Sequence, residues 1–447
     1  MDFTFMDLML SFVVLSVLLL LGQIIRAKVV PIQKIFLPAA VIAGIIGLVL
    51  GPQVLGIIPM PKAASGLPGF LISIFYACVL IGGFPKLEGA ATRISKFYLG
   101  YAATLSLEIA LCMGLVLFVM KEFMPDLPNY IGMTLPIGFY GGHGAAAAIG
   151  GAFEDLGYEN AVGICMATAT IGIISGIVIG MTIVNWAVRK GYTVRKTNVK
   201  DLPEEVKTGI IPKSKQPNAL GKASVSSETI DPLAFVVALV GAACAIGFVL
   251  SELLPMAHPY LGNIPLFVLT LIGGAIVRLL VEKMDLCFLY DETATRRIQG
   301  LSLDFLIAAG VATIPLGIVA QYLAPLLILA VATWIAVPVF LLYVGPRLLG
   351  EAWFEKMMVI YGTMHGVFAT GILLLRVVDP DFETPALLEG GTVVAIDCVL
   401  SYALIVILAP VAMESYPMAL FLIPLAIVIA ALGFSLFSSR RIKGTPA

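Results

Sequence analysis

Long apolar runs, each bounded by charge, proline or glycine, fill most of the chain. Eleven are long enough to cross a membrane as helices: 7–25, 36–58, 67–84, 97–120 and 161–187, then 232–255, 262–281, 300–320, 322–345, 388–410 and 417–438. Between the fifth and the sixth lies 188–231, rich in Lys, Pro, Ser and Glu with almost no apolar periodicity. It reads as a cytoplasmic linker. Two further stretches, about 130–152 and 356–376, are apolar but interrupted by Gly and Pro, and each leaves through an acidic segment. Irregular backbone at membrane depth survives only inside protein or beside a wet cavity, so both are expected to be re-entrant hairpins.

Composition fits this pattern. The 447 residues are 60% hydrophobic and 12% charged, with mean hydropathy +1.03. Soluble domains carry about 25% charged residues, so the chain is an all-α polytopic membrane protein whose partner is the lipid bilayer. The net charge of −1 points to no partner, and no nucleic acid is expected. Cys78, Cys112, Cys165, Cys244, Cys287 and Cys398 show no metal-ligand spacing and read as small buried hydrophobes. Asp2 and Asp7 replace the basic start of a signal peptide, so Leu8–Ile25 reads as a retained first helix.

Charge placement then sets the topology. With the N-terminus outside, 25 of the 27 Lys and Arg fall on the cytoplasmic side; Lys62 and Lys121 are the exceptions. Reading either hairpin as a full span inverts everything after it. The first hairpin therefore opens outward, the second inward, and the C-terminus is cytoplasmic, in a multi-pass protein of the cell (inner or plasma) membrane.

The two halves repeat. In each, four spans precede a hairpin and one follows. His143 and His365 lie about half a chain apart, and "FEDLGYENA" (153–161) and "VDPDFETPA" (378–386) leave the hairpins in matching fashion. The halves start on opposite sides. The organisation is thus 1–187, a first inverted repeat; 188–231, linker; 232–410, a second inverted repeat; and 411–447, an extra transmembrane helix with a basic tail. Inverted repeats with broken apolar segments at matching positions mark secondary transporters with a mid-membrane site.

The hairpins hold two of the three histidines, in "YGGHGAAAAIGG" (140–151) and "YGTMHGVFATG" (361–371). Glycines let the backbone turn and a substrate approach. A histidine can donate, accept or charge near neutral pH; its structural alternative is to pin the turn. Gly172, Gly176 and Gly180 share a helix face suited to close packing, while Thr168, Thr170 and Ser175 have hydroxyls to turn toward a site. Asp397 lies near mid-span with no Lys or Arg at helical spacing. With hairpin carbonyls it suits a hard cation such as Na⁺; the alternative is a protonated Asp bonded to a neighbouring helix. Glu108, also mid-span, is expected in the scaffold. Arg278 is expected to snorkel, and His258 to sit solvated in an outer loop.

"GGHGAAAAIGGAFEDLGYENA" followed by "ATATIGIISGIVIG" (167–180), and "TGILLLRVVDPDFETPA" (370–386), resemble the sodium/glutamate symporter family. The resemblance implies two inverted five-segment halves, homodimerisation through scaffold helices and elevator-type movement of the hairpin-bearing unit. It also implies Na⁺-coupled symport of glutamate or a related small anion, with no cofactor beyond Na⁺ as coupling ion and no enzymatic activity. The chain departs from the family at Ala145–Ala146 and in "GTMHGVFATG", where substrate is expected. On this reading Gly141, Gly142, His143 and Gly144 form one wall of the substrate site, and Thr363, His365, Gly366, Thr370 and Gly371 the other. Thr170, Ser175, Asp397 and Ser401 are the Na⁺-site candidates. The rival readings are a proton-coupled exchanger using His143 or His365, a channel, and an intramembrane enzyme. HExxH, GxSxG and P-loop patterns are all missing.

Overall fold

In order along the chain the helices are α1 (Phe5–Lys28), α2 (Ala39–Leu50), α3 (Lys62–Ile81), α4 (Ala91–Leu115), α5 (Ile131–Asp155), α6 (Ala161–Lys190), α7 (Pro232–Ala257), α8 (Leu266–Lys283), α9 (Glu292–Ala312), α10 (Leu323–Leu348), α11 (Trp353–Met364), α12 (Phe368–Val378), α13 (Ala386–Val399), α14 (Ser401–Ser415) and α15 (Ala419–Ile442). The computed structural model describes residues 4–34, 37–81, 91–194, 208, 210–212, 221, 224–257, 264, 266–379, 383–399 and 401–442. Most of the 188–231 linker, and His258, lie outside the described residues. Among those residues every regular element is helical, and seven helices are long and apolar enough to cross a membrane.

Two expected spans, and one expected side chain, come out differently. The run 36–58 yields only the 12-residue α2, about 18 Å long, because Gly51–Pro52 ends it. The run 300–320 begins earlier, at Glu292, and stops at Ala312; Pro315 precedes a separate short helix, Leu316–Gln321. Arg278 on α8 does not snorkel alone. Its Nε bonds Glu282 one turn on at 2.6 Å, and its guanidinium lies 5.6 Å from the Tyr290 ring centre.

The helices gather into two units, each drawing on both halves of the chain. The first holds α1, α2, α3, α7, α8 and α9. Small residues set its packing: a Cβ on Gly273 would strike the Ala243 carbonyl at 2.1 Å, and one on Gly44 would strike Val311. The second holds α4, α5, α6 and α10 to α15. It contains both hairpin segments and, against expectation, Glu108, since α4 packs on α5, α10, α11, α13 and α15. Of the cysteines, Cys78, Cys112 and Cys165 are buried as expected, Cys244 is half-buried and Cys287 is exposed; these five are free thiols.

Candidate functional site

The segment α5 is two helical arms joined at Gly142. Its φ of 58° and ψ of −150° fall in a region essentially reserved for glycine. A straight 25-residue helix would be about 37 Å long. Instead the ring of Tyr130, just before α5, lies 6.3 Å from that of Phe153 near its end. Contacts with α6 show the reversal directly. In the first arm, Thr134 meets Thr168 and Phe139 meets Gly172, so the numbers rise together. In the second arm, His143 meets Thr170 and Gly150 meets Val162, so they run oppositely. The carboxylate of Glu154 closes the base by accepting from the Val162 N–H at 3.0 Å.

The second hairpin is α11 and α12, with His365, Gly366 and Val367 between them. Gly362 and Gly371 let its arms approach, since a Cβ on Gly362 would lie 2.6 Å from the Gly371 backbone. Buried Lys356 and Glu389 form an ion pair of 2.8 Å near its base, and Arg93 reaches the other Glu389 oxygen at 2.9 Å. Asp379 at the exit accepts from the N–H groups of Glu383 and Thr384.

The hairpins approach α6 from opposite ends. The first lies along α6 from Val162 to Gly172. The second has its tip at Gly172 and Gly176, Tyr361 and Leu374 at Gly180, and Glu355 near its base bonded to the Val194 N–H beyond the end of α6. The glycine stripe of α6 is thus a packing surface for the second hairpin. The tips touch: a Cβ on Gly142 would come within 2.7 Å of the Val367 side chain and 2.9 Å of the Gly366 carbonyl. The rings of Phe139 and His365 are 5.3 Å apart.

Hydrogen bonds fix how the histidines face this contact. Thr170 gives its proton to the Met166 carbonyl, so its oxygen accepts from His143 Nε2 at 3.0 Å. His365 Nδ1 donates to the Tyr361 carbonyl at 3.2 Å. Each imidazole keeps one buried acceptor nitrogen, Nδ1 of His143 and Nε2 of His365, with no hydrogen-bond partner among the described residues. Two helix N-termini also end here, the arm starting at His143 and α12, whose N-cap Val367 has no side-chain cap. Their free N–H groups favour anions.

The other expected site residues divide. Gly141 and Gly144 flank the first tip, with Gly141 partly exposed. Thr370 and Gly371 form the first turn of α12, and Thr370 Oγ1 abuts Gly366. The Thr363 hydroxyl bonds back to Val359 inside the second hairpin. Asp397, buried on α13, accepts a hydrogen bond from the Tyr140 phenol and so joins the first tip. The Ser175 hydroxyl donates to Gly172 and accepts from Trp334 Nε1 on α10, tying two helices together. Ser401 starts α14, but its side chain lies outside the described residues. Sequence reasoning missed Tyr140, Phe139, Tyr361 and the Lys356–Glu389 pair. A tyrosine three residues before the histidine of an apolar, Gly-rich segment was the available signal, since a buried phenol needs a partner.

The sodium/glutamate symporter family profile matches residues 4–374. The chain belongs to the sodium/glutamate symporter family. Two curated relatives, the sodium/glutamate symporters of Escherichia coli (strain K12) and Shigella flexneri, are each 22% identical over 356 residues. The match covers 77% of this chain and 82% of each relative. Family membership and the apolar helices make this a multi-pass membrane transport protein, as the hydropathy pattern implied.

Proposed function

We propose that the chain is a Na⁺-coupled symporter of glutamate or a closely related small anion, with substrate held between the two hairpin tips. The observation that carries this is the meeting of the tips near the middle of α6, a helix of 30 residues and so about 45 Å long. Each hairpin arm has 11 to 13 residues, about half the length a span needs. Hairpins entering from opposite ends put their tips near the bilayer midplane, where inverted-repeat transporters bind substrate. The helix N-termini at the tips suit the carboxylates of an amino acid, and the two imidazole acceptor nitrogens suit its ammonium group.

In this reading the hairpins are re-entrant, each inverted half supplies one, and the N-terminus is outside. The hairpin-bearing unit carries its cargo by an elevator movement. The homodimer forms through helices of the first unit. Na⁺ prefers hard oxygen ligands, and Asp397 with tip carbonyls such as Gly366 provides them. Thr170 and Ser175 have hydroxyl protons committed to carbonyls and accept from His143 and Trp334, so they contribute less than Asp397. The test is counterflow in proteoliposomes against a panel of amino and carboxylic acids, with and without a Na⁺ gradient. Na⁺-dependent exchange of L-glutamate or a near analogue supports the proposal. Exchange that follows pH and ignores Na⁺ selects the proton-coupled reading instead.

A further inference from the structure

Glu108 is the only charged residue between Lys96 and Lys121. It is fully buried in α4, and neither carboxylate oxygen has a hydrogen-bond partner among the described residues. Its helix offers no neutralising cation: Lys96 and Lys121 are about 18–20 Å away along the axis.

The neighbouring elements bring none either. α15 carries no titratable side chain before Arg440. α10 has only Tyr343 and Arg347, which pair with each other near its far end. α13 contributes Glu389, held by Arg93 and Lys356, and Asp397, bonded by Tyr140. α5 contributes that same Tyr140, whose ring meets α4 at Tyr101, and His143, bonded to Thr170; its Glu154 and Asp155 lie at the hairpin base. α11 brings Glu355 and Lys356 at its start, and Tyr361. Beyond α4, Lys121 and Glu122 lie past the π-helical turn Val116–Met120.

Cys112 follows Glu108 one turn along α4, and α11, which packs on α4, carries Tyr361. Tyr361 is itself fully buried, with no partner for its hydroxyl among the described residues. Its ring stacks on that of His365, centroids 4.3 Å apart. Glu108 and Tyr361 are thus two buried polar groups without hydrogen-bond partners among the described residues, on helices that pack together, and Tyr361 leads on to His365 at the second hairpin tip.

An unpaired carboxylate in such surroundings is strongly disfavoured unless something neutralises it. A sodium ion would need several oxygen ligands. Among the described residues no group of three or more His, Cys, Asp or Glu side chains stands together to hold a metal ion. A proton needs only the carboxylate.

We propose that Glu108 is a proton-binding site coupled to the second hairpin: it carries a proton in the conformation described here, and releasing that proton to water displaces Tyr361 and His365 from their stack. Proton binding stands apart from the transport reading; its effect on uptake rests on that reading. The full-length protein, reconstituted in lipid, is tested in two ways.

Infrared spectroscopy reads the carbonyl stretch that a protonated carboxylic acid has and a carboxylate lacks. Wild type shows a band at neutral pH that Glu108→Gln lacks, and the band disappears on alkaline titration. In Tyr361→Phe its midpoint moves. A Glu108→Gln spectrum equal to wild type, with the variant monodisperse, overturns the site; an unmoved midpoint in Tyr361→Phe overturns the coupling. The second arm follows initial L-glutamate uptake at fixed Na⁺. Wild type falls about tenfold per pH unit on the alkaline limb, and Glu108→Gln, a neutral mimic of the acid, stays flat. A Glu108→Gln profile that keeps the wild-type fall overturns the coupling. Wild type with no L-glutamate uptake at any pH counts against the transport reading, and the infrared arm then decides the proton site alone.

Discussion

The two hairpins place a histidine at matching positions and wire it differently. In the first, the chain reverses at a single residue, Gly142, and His143 follows the turn with Nε2 bonded to a side chain, Thr170. In the second, the reversal takes three residues, the first of them His365, whose Nδ1 bonds to its own helix at the Tyr361 carbonyl. The bases differ too. Glu154 closes the first by accepting one backbone N–H. The second is held by the buried Lys356–Glu389 pair, with Arg93 on the far oxygen. A histidine at each turn therefore does not fix the wiring: local neighbours decide which nitrogen faces the site and what each hairpin costs to break.

The base comparison predicts the largest effect. Lys356→Met leaves Glu389 buried with only Arg93, and is expected to cost about 3 kcal/mol of stability. The measurement is the midpoint of denaturation in detergent micelles. Lys356→Met combined with Glu389→Gln should recover much of the loss, and Glu154→Gln at the other base should cost about 1 kcal/mol. Equal losses at the two bases would erase the distinction.

The tips come next. Gly142→Ala combines a conformation that disfavours any side chain, costing about 1–3 kcal/mol, with a clash against the opposite tip. Gly366→Ala has no such backbone demand and meets chiefly Thr370 Oγ1, so about 1 kcal/mol is expected. Uptake by Gly142→Ala should fall much further than uptake by Gly366→Ala at equal protein in the membrane. The reverse order would mean that the second tip is the tighter turn.

The smallest effect separates packing from ion binding on α6. Ser175→Ala loses the Trp334 bond, about 1 kcal/mol, and should leave the Na⁺ concentration for half-maximal uptake unchanged. Asp397→Asn should raise it sharply. A Na⁺ shift in Ser175→Ala as large as that in Asp397→Asn would return Ser175 to the ion site.

Much of this was legible in the sequence. The chain reversals were readable because Gly-rich apolar stretches contradict both a stable helix and a surface loop. The pairing of His143 with the tip region followed from their shared segment. What stayed hidden depends on tertiary contacts that no local pattern encodes. Lys356 looks like a loop charge until α13 brings Glu389 against it. Ser175 looks like an ion ligand until Trp334, 159 residues away, is seen to donate to it. Glu108 looks like scaffold because its helix precedes the hairpin in sequence, yet α4 packs with both hairpins.

The central claim is that one substrate occupies both tips at once. Gly141 and Val367 are partly exposed tip residues on opposite hairpins. Single cysteines at each, in a cysteine-free background that retains uptake, report access by their rate of reaction with a water-soluble thiol reagent. The account predicts that the acid showing counterflow, together with Na⁺, slows both rates over the same concentration range, and that neither alone protects as well. Protection of one cysteine with the other unchanged would contradict it.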